Sequence, residues 1–155
     1  MAPTAASPGP RTRPKTFVYR TGVRWTGKRV GTLMSAEKPD LRVASPPEFQ
    51  GESGVWTPED LLVASLEACT MMTFVALAEK RGLPLVSWQS EAEGRLEASG
   101  GRYRFTQMVL RPTIVVGEAT AVARAVELVH EAHQRCFVAN SLRTEIRIEP
   151  LIRSL

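Results

Sequence analysis

The chain has 155 residues, enough for one domain with a real core and too few for two comfortable ones. Its 43% hydrophobic and 23% charged residues are ordinary for a globular protein, and two cysteines do not make a disulfide scaffold of the small secreted kind. The formal charge of +4 is uneven: residues 1–36 hold seven Lys or Arg and no acid, so the rest of the chain is net acidic. A nucleic-acid surface would gather basic and aromatic side chains on one face, and three Trp and two Tyr scattered along the chain do not supply it.

The opening MAPTAASPGPRTRP is small, Pro-rich and basic, which predicts a disordered tail over residues 1–14 ahead of a single domain at 15–155. It has no apolar core of a secretory signal, so the expected compartment is the reducing cytoplasm. Phe17, Tyr19 and Val23 to Trp25 read as a first strand, closed by the turn Thr26-Gly27-Lys28-Arg29. Arg29 to Ala36 and Leu41 to Ser45 read as two short strands, and Pro46-Pro47 with Gly51 to Gly54 as a loop.

Thr57-Pro58-Glu59-Asp60 then opens a helix, with Thr57 as N-cap, Pro58 in the first position and acids in the first turn. From Leu61 to Ala78 the only charge is Glu67, and Lys80-Arg81-Gly82 ends the run. A helix apolar on nearly every side is expected to be buried on most of them. Its length suits a membrane span, but Glu67, Ser65, Thr70 and Thr73 favour a central helix instead. Leu85 to Ala98 and Arg102 to Val116 predict a long hairpin turning at Ser99-Gly100-Gly101. Glu118 to Arg135 predicts a second helix, with Val122, Ala125, Val126 and Val129 on its apolar stripe, and Arg143 to Ile148 a last strand. The order β-β-β-α-β-β-α-β, with antiparallel hairpins, is that of an α+β domain.

Cys69 falls in the middle of the first helix and Cys136 at the end of the second. A lone helical cysteine is usually a small buried hydrophobe. Here there are only two, one on each main helix, which raises the case for paired chemistry. The segment Thr57 to Cys69, with Pro58-Glu59 at the helix start and a Cys ten residues after the Glu, resembles the first-cysteine helix of OsmC/Ohr proteins. His133 to Leu142 is similar to the second-cysteine segment, and Trp25 to Gly31 to the first β-turn of that family.

The resemblance implies antiparallel sheets wrapped around two central helices in an intertwined homodimer, with sites at the subunit interface. It implies a peroxidase for organic hydroperoxides, and to varying degrees hydrogen peroxide, serving the oxidative stress response without a cofactor. Cys69 would be the peroxidatic residue, oxidised to a sulfenic acid, and Cys136 the resolving one, forming a disulfide that a dithiol such as a lipoyl group reopens. Glu59 matches the active-site Glu. Arg29 is the choice for the active-site Arg, with Lys28 and Arg24 as rivals, since one sequence does not register the turn.

Only a thiolate attacks peroxide, and Cys69 lies too far from its own helix N-terminus for the dipole to help. Burial would raise its pKa further, so a buried cation is expected beside it, with Glu59 holding the guanidinium. Yet Glu59 and Cys69 are ten residues apart, about 15 Å along a straight helix. Either the helix breaks, or each site takes its Glu from a second chain.

Many relatives have Cys-Pro at the second cysteine, whereas this chain has Cys136-Phe137, and Phe does not stop a helix. Trp56 is placed either to line the substrate pocket or to pack at an interface. His130, His133 and Cys136 share i, i+3, i+6 spacing, but a four-coordinate metal needs more donors than the sequence offers. No nucleotide-binding or serine-hydrolase motif occurs. The rival to the enzyme is a dimeric redox-sensing or small-molecule-binding module with slow cysteines.

Overall fold

The computed structural model describes residues 15–155, so the tail expected over residues 1–14 lies outside it. Strands β1 (Gly22–Gly27), β2 (Val30–Met34) and β3 (Leu41–Ala44) form an antiparallel sheet in chain order. The β1–β2 turn is Lys28-Arg29, with Gly27 at φ 122° and Lys28 at φ 50° closing it behind a bulge. Phe17 and Tyr19, expected in the first strand, lie outside it, because the paired register starts only at Gly22 opposite Met34. Beyond β3, the loop over residues 45–51 folds back so tightly that a Cβ on Gly51 would run into the Ser45 carbonyl.

Helix α1 (Pro58–Lys80) starts as its sequence dictates. The Thr57 hydroxyl accepts from the Asp60 N–H at 3.0 Å, and the Asp60 carboxylate accepts from the Thr57 N–H at 3.0 Å. This reciprocal pair satisfies two of the orphan donors at the helix start. The helix then runs 23 residues without a break.

Strands β4 (Leu85–Ser99) and β5 (Arg102–Val116) make the long antiparallel hairpin, turning on Gly100 and Gly101, both at positive φ. Gly94 lets α1 approach this sheet: a Cβ there would stand 2.6 Å from Val63 Cγ2 and 2.8 Å from Phe105 Cε1. Gly94→Val is therefore expected to cost roughly 2 kcal/mol of stability, read as a lowered denaturant midpoint. An unchanged midpoint would show that the α1–β4 contact is slack.

The second helix is one turn shorter than expected. Residues Ala119–Ala121 form a 3₁₀ turn, and α2 spans Val122–Arg135. Its buried stripe is Ala125, Leu128, Val129 and Ala132, the i, i+3, i+4, i+7 set, and this leaves Val126 exposed. A short helix that was not foreseen, α3 (Phe137–Ser141), follows at once. The last strand is also divided: β6 (Glu145–Ile148) and β7 (Leu151–Ser154) run end to end, both parallel to β5, across Glu149-Pro150. The chain is thus α+β with antiparallel hairpins as the frame of both sheets, and β5 lies between β4 and the β6/β7 pair.

One core cluster joins Phe74 and Leu77 of α1 to Ile114 and Val116 of β5 and to Leu128 and Val129 of α2. The Phe74 and Trp88 rings lie 4.9 Å apart within it. A smaller cluster holds Leu66, Met108, Leu110 and Cys136. Glu67, the only charge in the middle of α1, accepts from the Ser90 hydroxyl at 2.6 Å, and Trp88 Nε1 donates to that hydroxyl at 3.2 Å. Burial of α1 on most sides is not what the chain provides: only 28% of its most apolar stretch is buried. One sheet and the helices α2 and α3 cover it on the inner side, leaving an outer stripe of Ser65, Ala68, Met72 and Ala76 exposed.

Candidate active site

Helix α2 stops at Cys136, whose ψ of 119° is extended, although no proline follows. The helix ends at Arg135, where the sequence placed its end, and Phe137 does not carry it on because Cys136 becomes the N-cap of α3. Its Sγ accepts from the Ala139 N–H at 3.4 Å, replacing the intrahelical bond that continuation would have required. The chain turns so that the first N–H groups of α3 point at sulfur.

Cys69 is on the other side of that junction, partly buried and packed against the cluster that holds Cys136. Burial pushes the Cys69 pKa up. Against it act the Val138 N–H, the Cys136 thiol, the Phe137 N–H and the Thr73 hydroxyl, and together they bring it below the ordinary thiol value. The Thr73 hydroxyl also donates to the Cys69 carbonyl, at 2.8 Å. Cys136 goes the other way. Its complete burial raises its pKa, Ala139 and Thr70 oppose this, and the Cys69 bond and charge raise it further, for a net upward shift. The arrangement makes Cys69 the easier of the two sulfurs to ionise.

The cation expected beside Cys69 is thus replaced, within one chain, by the orphan donors of a short helix. Since the folded pKa of Cys69 lies below its unfolded value, thiolate binding adds stability above the ordinary thiol range, about 8.5. That contribution is lost as pH falls through the folded value.

Beside the sulfur runs an open groove of ≈ 800 Å³ along the α1 stripe of Cys69, Met72, Leu77 and Lys80, with Arg135 and Phe137 on its other wall. Phe137 is 80% exposed and Met72 63% exposed, so the groove is largely apolar, with Lys80 and Arg135 as the cations in its lining. Arg135 is paired with Glu131 at 2.8 Å.

Glu59 and Arg29 are elsewhere. Because α1 does not break, Glu59 stays about 15 Å from Cys69 along the axis. It lines two adjoining hollows of ≈ 730 and ≈ 300 Å³ with Trp56, Asp60, Gly94 and Phe105. Its Oε2 is buried and has no hydrogen-bond partner, an omission that ordinarily costs about 1–3 kcal/mol. Arg29, at the tip of the β1–β2 turn, donates to the Phe49 carbonyl, and the Phe49 side lines the larger hollow with Glu59. Of its rivals, Lys28 lines a separate hollow with Glu52, and Arg24 is exposed on β1 opposite Thr32. The chain therefore brings Cys69 to Cys136, and sets Arg29 and Glu59 around one loop at the start of α1. It does not bring the two pairs together.

His130 is exposed and His133 half-buried, while Cys136 turns into the core. Burial and the neighbouring His130 lower the His133 pKa. Among the described residues no group of three or more His, Cys, Asp or Glu stands where it could hold a metal ion. Three features escaped sequence reasoning: the α3 amides, Thr70 and the Glu67–Ser90–Trp88 chain. Thr70 was visible as a rare hydroxyl in an apolar helix, next to Cys69. The α3 amides had no signal, since backbone donors leave no mark in side-chain text.

The chain is a two-thiol α+β domain whose cysteines come from α1 and from the α2–α3 junction. A family model described as OsmC-like protein matches residues 51–150, and the chain belongs to the OsmC-like family. A Bacillus subtilis protein named uncharacterized protein YmaD is 25% identical over 130 residues, covering 81% of this chain and 86% of that one. The structure of an OsmC-like protein of unknown function from Vibrio cholerae superposes with a TM-score of 0.81 at 25% identity, over 88% of this chain and 100% of that one. An organic hydroperoxide resistance protein OsmC from Legionella pneumophila gives 0.70 at 24% identity, over 88% and 98%.

Proposed function

We propose that the chain is a thiol peroxidase for organic hydroperoxides. The observation that carries this reading is the Cys69 thiol, its pKa lowered beside the α3 amides and Cys136, at the head of an apolar groove. The Cys69 sulfur attacks the terminal oxygen of ROOH, the O–O bond breaks, and the alkoxide leaves as an alcohol after taking a proton. Cys69 is then a sulfenic acid. Cys136 displaces hydroxide from it, giving a disulfide and water, and a dithiol such as a lipoyl group reopens the bond. Met72, Leu77 and Phe137 favour an apolar R group over hydrogen peroxide. A cytoplasmic location keeps such thiols reduced between turnovers.

The same reading includes a homodimer. The exposed stripe of α1, with Val23 and Trp25 at 68% and 74% exposure on one face of β1, is apolar surface of a kind that partners cover. Burying Met72 or Trp25 alone would contribute roughly 1.5–3 kcal/mol. The unpartnered Glu59 carboxylate and Arg29 supply what Cys69 lacks in its own chain, and a two-fold contact across α1 would bring them there.

Counting free thiols after one equivalent of an organic hydroperoxide tests the chemistry. The expected result is the loss of two thiols per chain to one intramolecular disulfide, restored by a dithiol. A redox-inert binding module would keep both thiols, and a sensor with slow cysteines would lose them only over a large excess.

A further inference from the structure

Helix α3 is lightly held. It is five residues long with none of them buried, and Val138, Ala139 and Leu142 reach the smaller core cluster only in part. So short a helix is marginal on its own, because one turn offsets little of the entropy lost in nucleating it. The Asn140 N–H donates to the Cys136 carbonyl at 3.0 Å, and the Ser141 hydroxyl to the Phe137 carbonyl at 2.7 Å. Asn140 Nδ2 ties the turn to the Gln134 carbonyl, at 3.0 Å. The Ala139 N–H is an orphan donor of the first turn, and the acceptor it finds is the Cys136 sulfur, at 3.4 Å. Such a cap is ordinarily the oxygen of Ser, Thr, Asp or Asn. A sulfur in that position differs in one respect: its bonding changes with redox state. The helix it caps also forms part of the groove, since Phe137 and Asn140 line it beside Cys69. Cys69 in turn packs against the cluster that holds Cys136.

We propose that α3 is a redox-sensitive wall of the groove, wound while Cys136 is a thiol and loosened once its sulfur is bonded to Cys69. The source of that bond rests on the peroxidase reading. The hydroperoxide oxidises Cys69 to a sulfenic acid and is itself reduced to the alcohol. The Cys136 sulfur then forms the S–S bond as the S–OH bond breaks, and the hydroxide leaves as water with the proton of Cys136. The new bond sets the direction of the Cys136 sulfur by Cys69 on α1, no longer by Ala139 on α3. What remains is an uncharged sulfur and a weak acceptor, and the Ala139 N–H loses its partner. Phe137, already 80% exposed, and Asn140 are then free to leave the groove. The reduced site is walled for an apolar hydroperoxide, and the oxidised site is open while it awaits its reductant.

Hydrogen exchange of residues 137–142 in the dithiol and disulfide forms tests this. The disulfide is made once with one equivalent of an organic hydroperoxide and once with diamide, which takes up the two thiol hydrogens. In the disulfide form the Ala139 amide should exchange roughly fivefold faster or more, the yield of a lost N-cap. The amides of Leu128 and Val129, in the buried stripe of α2, should keep their rates. Reduced Cys136→Ser should exchange as slowly as wild type, because a hydroxyl caps as well, and reduced Cys136→Ala as fast as the disulfide form. Equal or slower exchange at Ala139 in the disulfide form overturns the proposal, as does a Cys136→Ala protein as slow as wild type. Should Cys136→Ala not fold, the two redox forms of the wild type decide alone. If diamide joins the cysteines and the hydroperoxide does not, the peroxidase reading falls, and the diamide form still decides on the wall. A pair that neither oxidant joins overturns the wall itself.

Discussion

Cys69→Ser is expected to abolish hydroperoxide consumption, a fall of at least about a thousandfold, whereas Cys136→Ser keeps the first turnover and loses the rest. The asymmetry follows from where the proton sits. The donors around Cys69 lower its pKa, while burial and the neighbouring charge raise that of Cys136, so Cys69 ionises before Cys136. Without Cys69 the remaining thiol is buried, protonated and away from the groove. Without Cys136 the sulfenic acid has no partner, and a sulfenic-specific nucleophile such as dimedone should trap it on Cys69. Serine at 136 still donates a hydrogen bond, so the midpoint of Cys69 alkylation against pH should stay below that of free cysteine. Equal activity loss in both variants from the first turnover, or a Cys69→Ser protein that still consumes peroxide, would remove the assignment.

The second large effect concerns two chains. Glu59→Gln and Cys69→Ser should each inactivate their own homodimers, yet mixing them after unfolding and refolding together should recover activity. In a mixed dimer, one site combines the Cys69 of the Glu59→Gln chain with the Glu59 of the Cys69→Ser chain. Random pairing makes half the dimers mixed, each with one intact site, so roughly a quarter of wild-type activity should return. The physical ground is the unbroken α1 helix, which separates the two residues by about 15 Å and leaves Glu59 Oε2 buried without a donor. Arg29→Met should behave as Glu59→Gln does if its guanidinium completes the pair. Recovery absent at every mixing ratio would mean that each site is built from one chain.

Much of this was legible in the residues because local rules and tertiary need agreed there. Thr57-Pro58-Glu59-Asp60 wrote the helix start, and Gly100-Gly101 between two alternating runs wrote the hairpin. Trouble came where backbone geometry decides. The helix end expected at Arg135 is where α2 stops, but the means had no signal, since the stop is made by a sulfur accepting from Ala139 N–H. Arg143 to Ile148 read as one strand because Pro150 hid the resumption at Leu151 along the same β5 edge. The expectation of a cation at Cys69 came from reasoning on side chains alone, when the amides of residues 137 and 138 were within reach. The distance argument on Glu59 and Cys69 needed only the rise of a helix, and the helix kept to it.

The α3 amides belong to the same chain as the sulfur they serve, whereas Glu59 and Arg29, on the proposed reading, come from the other. Reactivity and selectivity are then acquired at different moments in the life of the molecule. A newly made chain that has folded but not yet paired already carries a sulfur of lowered pKa in an open groove, without the groups that would choose its target. Such a chain is exposed to indiscriminate alkylation and over-oxidation, and the speed of pairing becomes part of its protection.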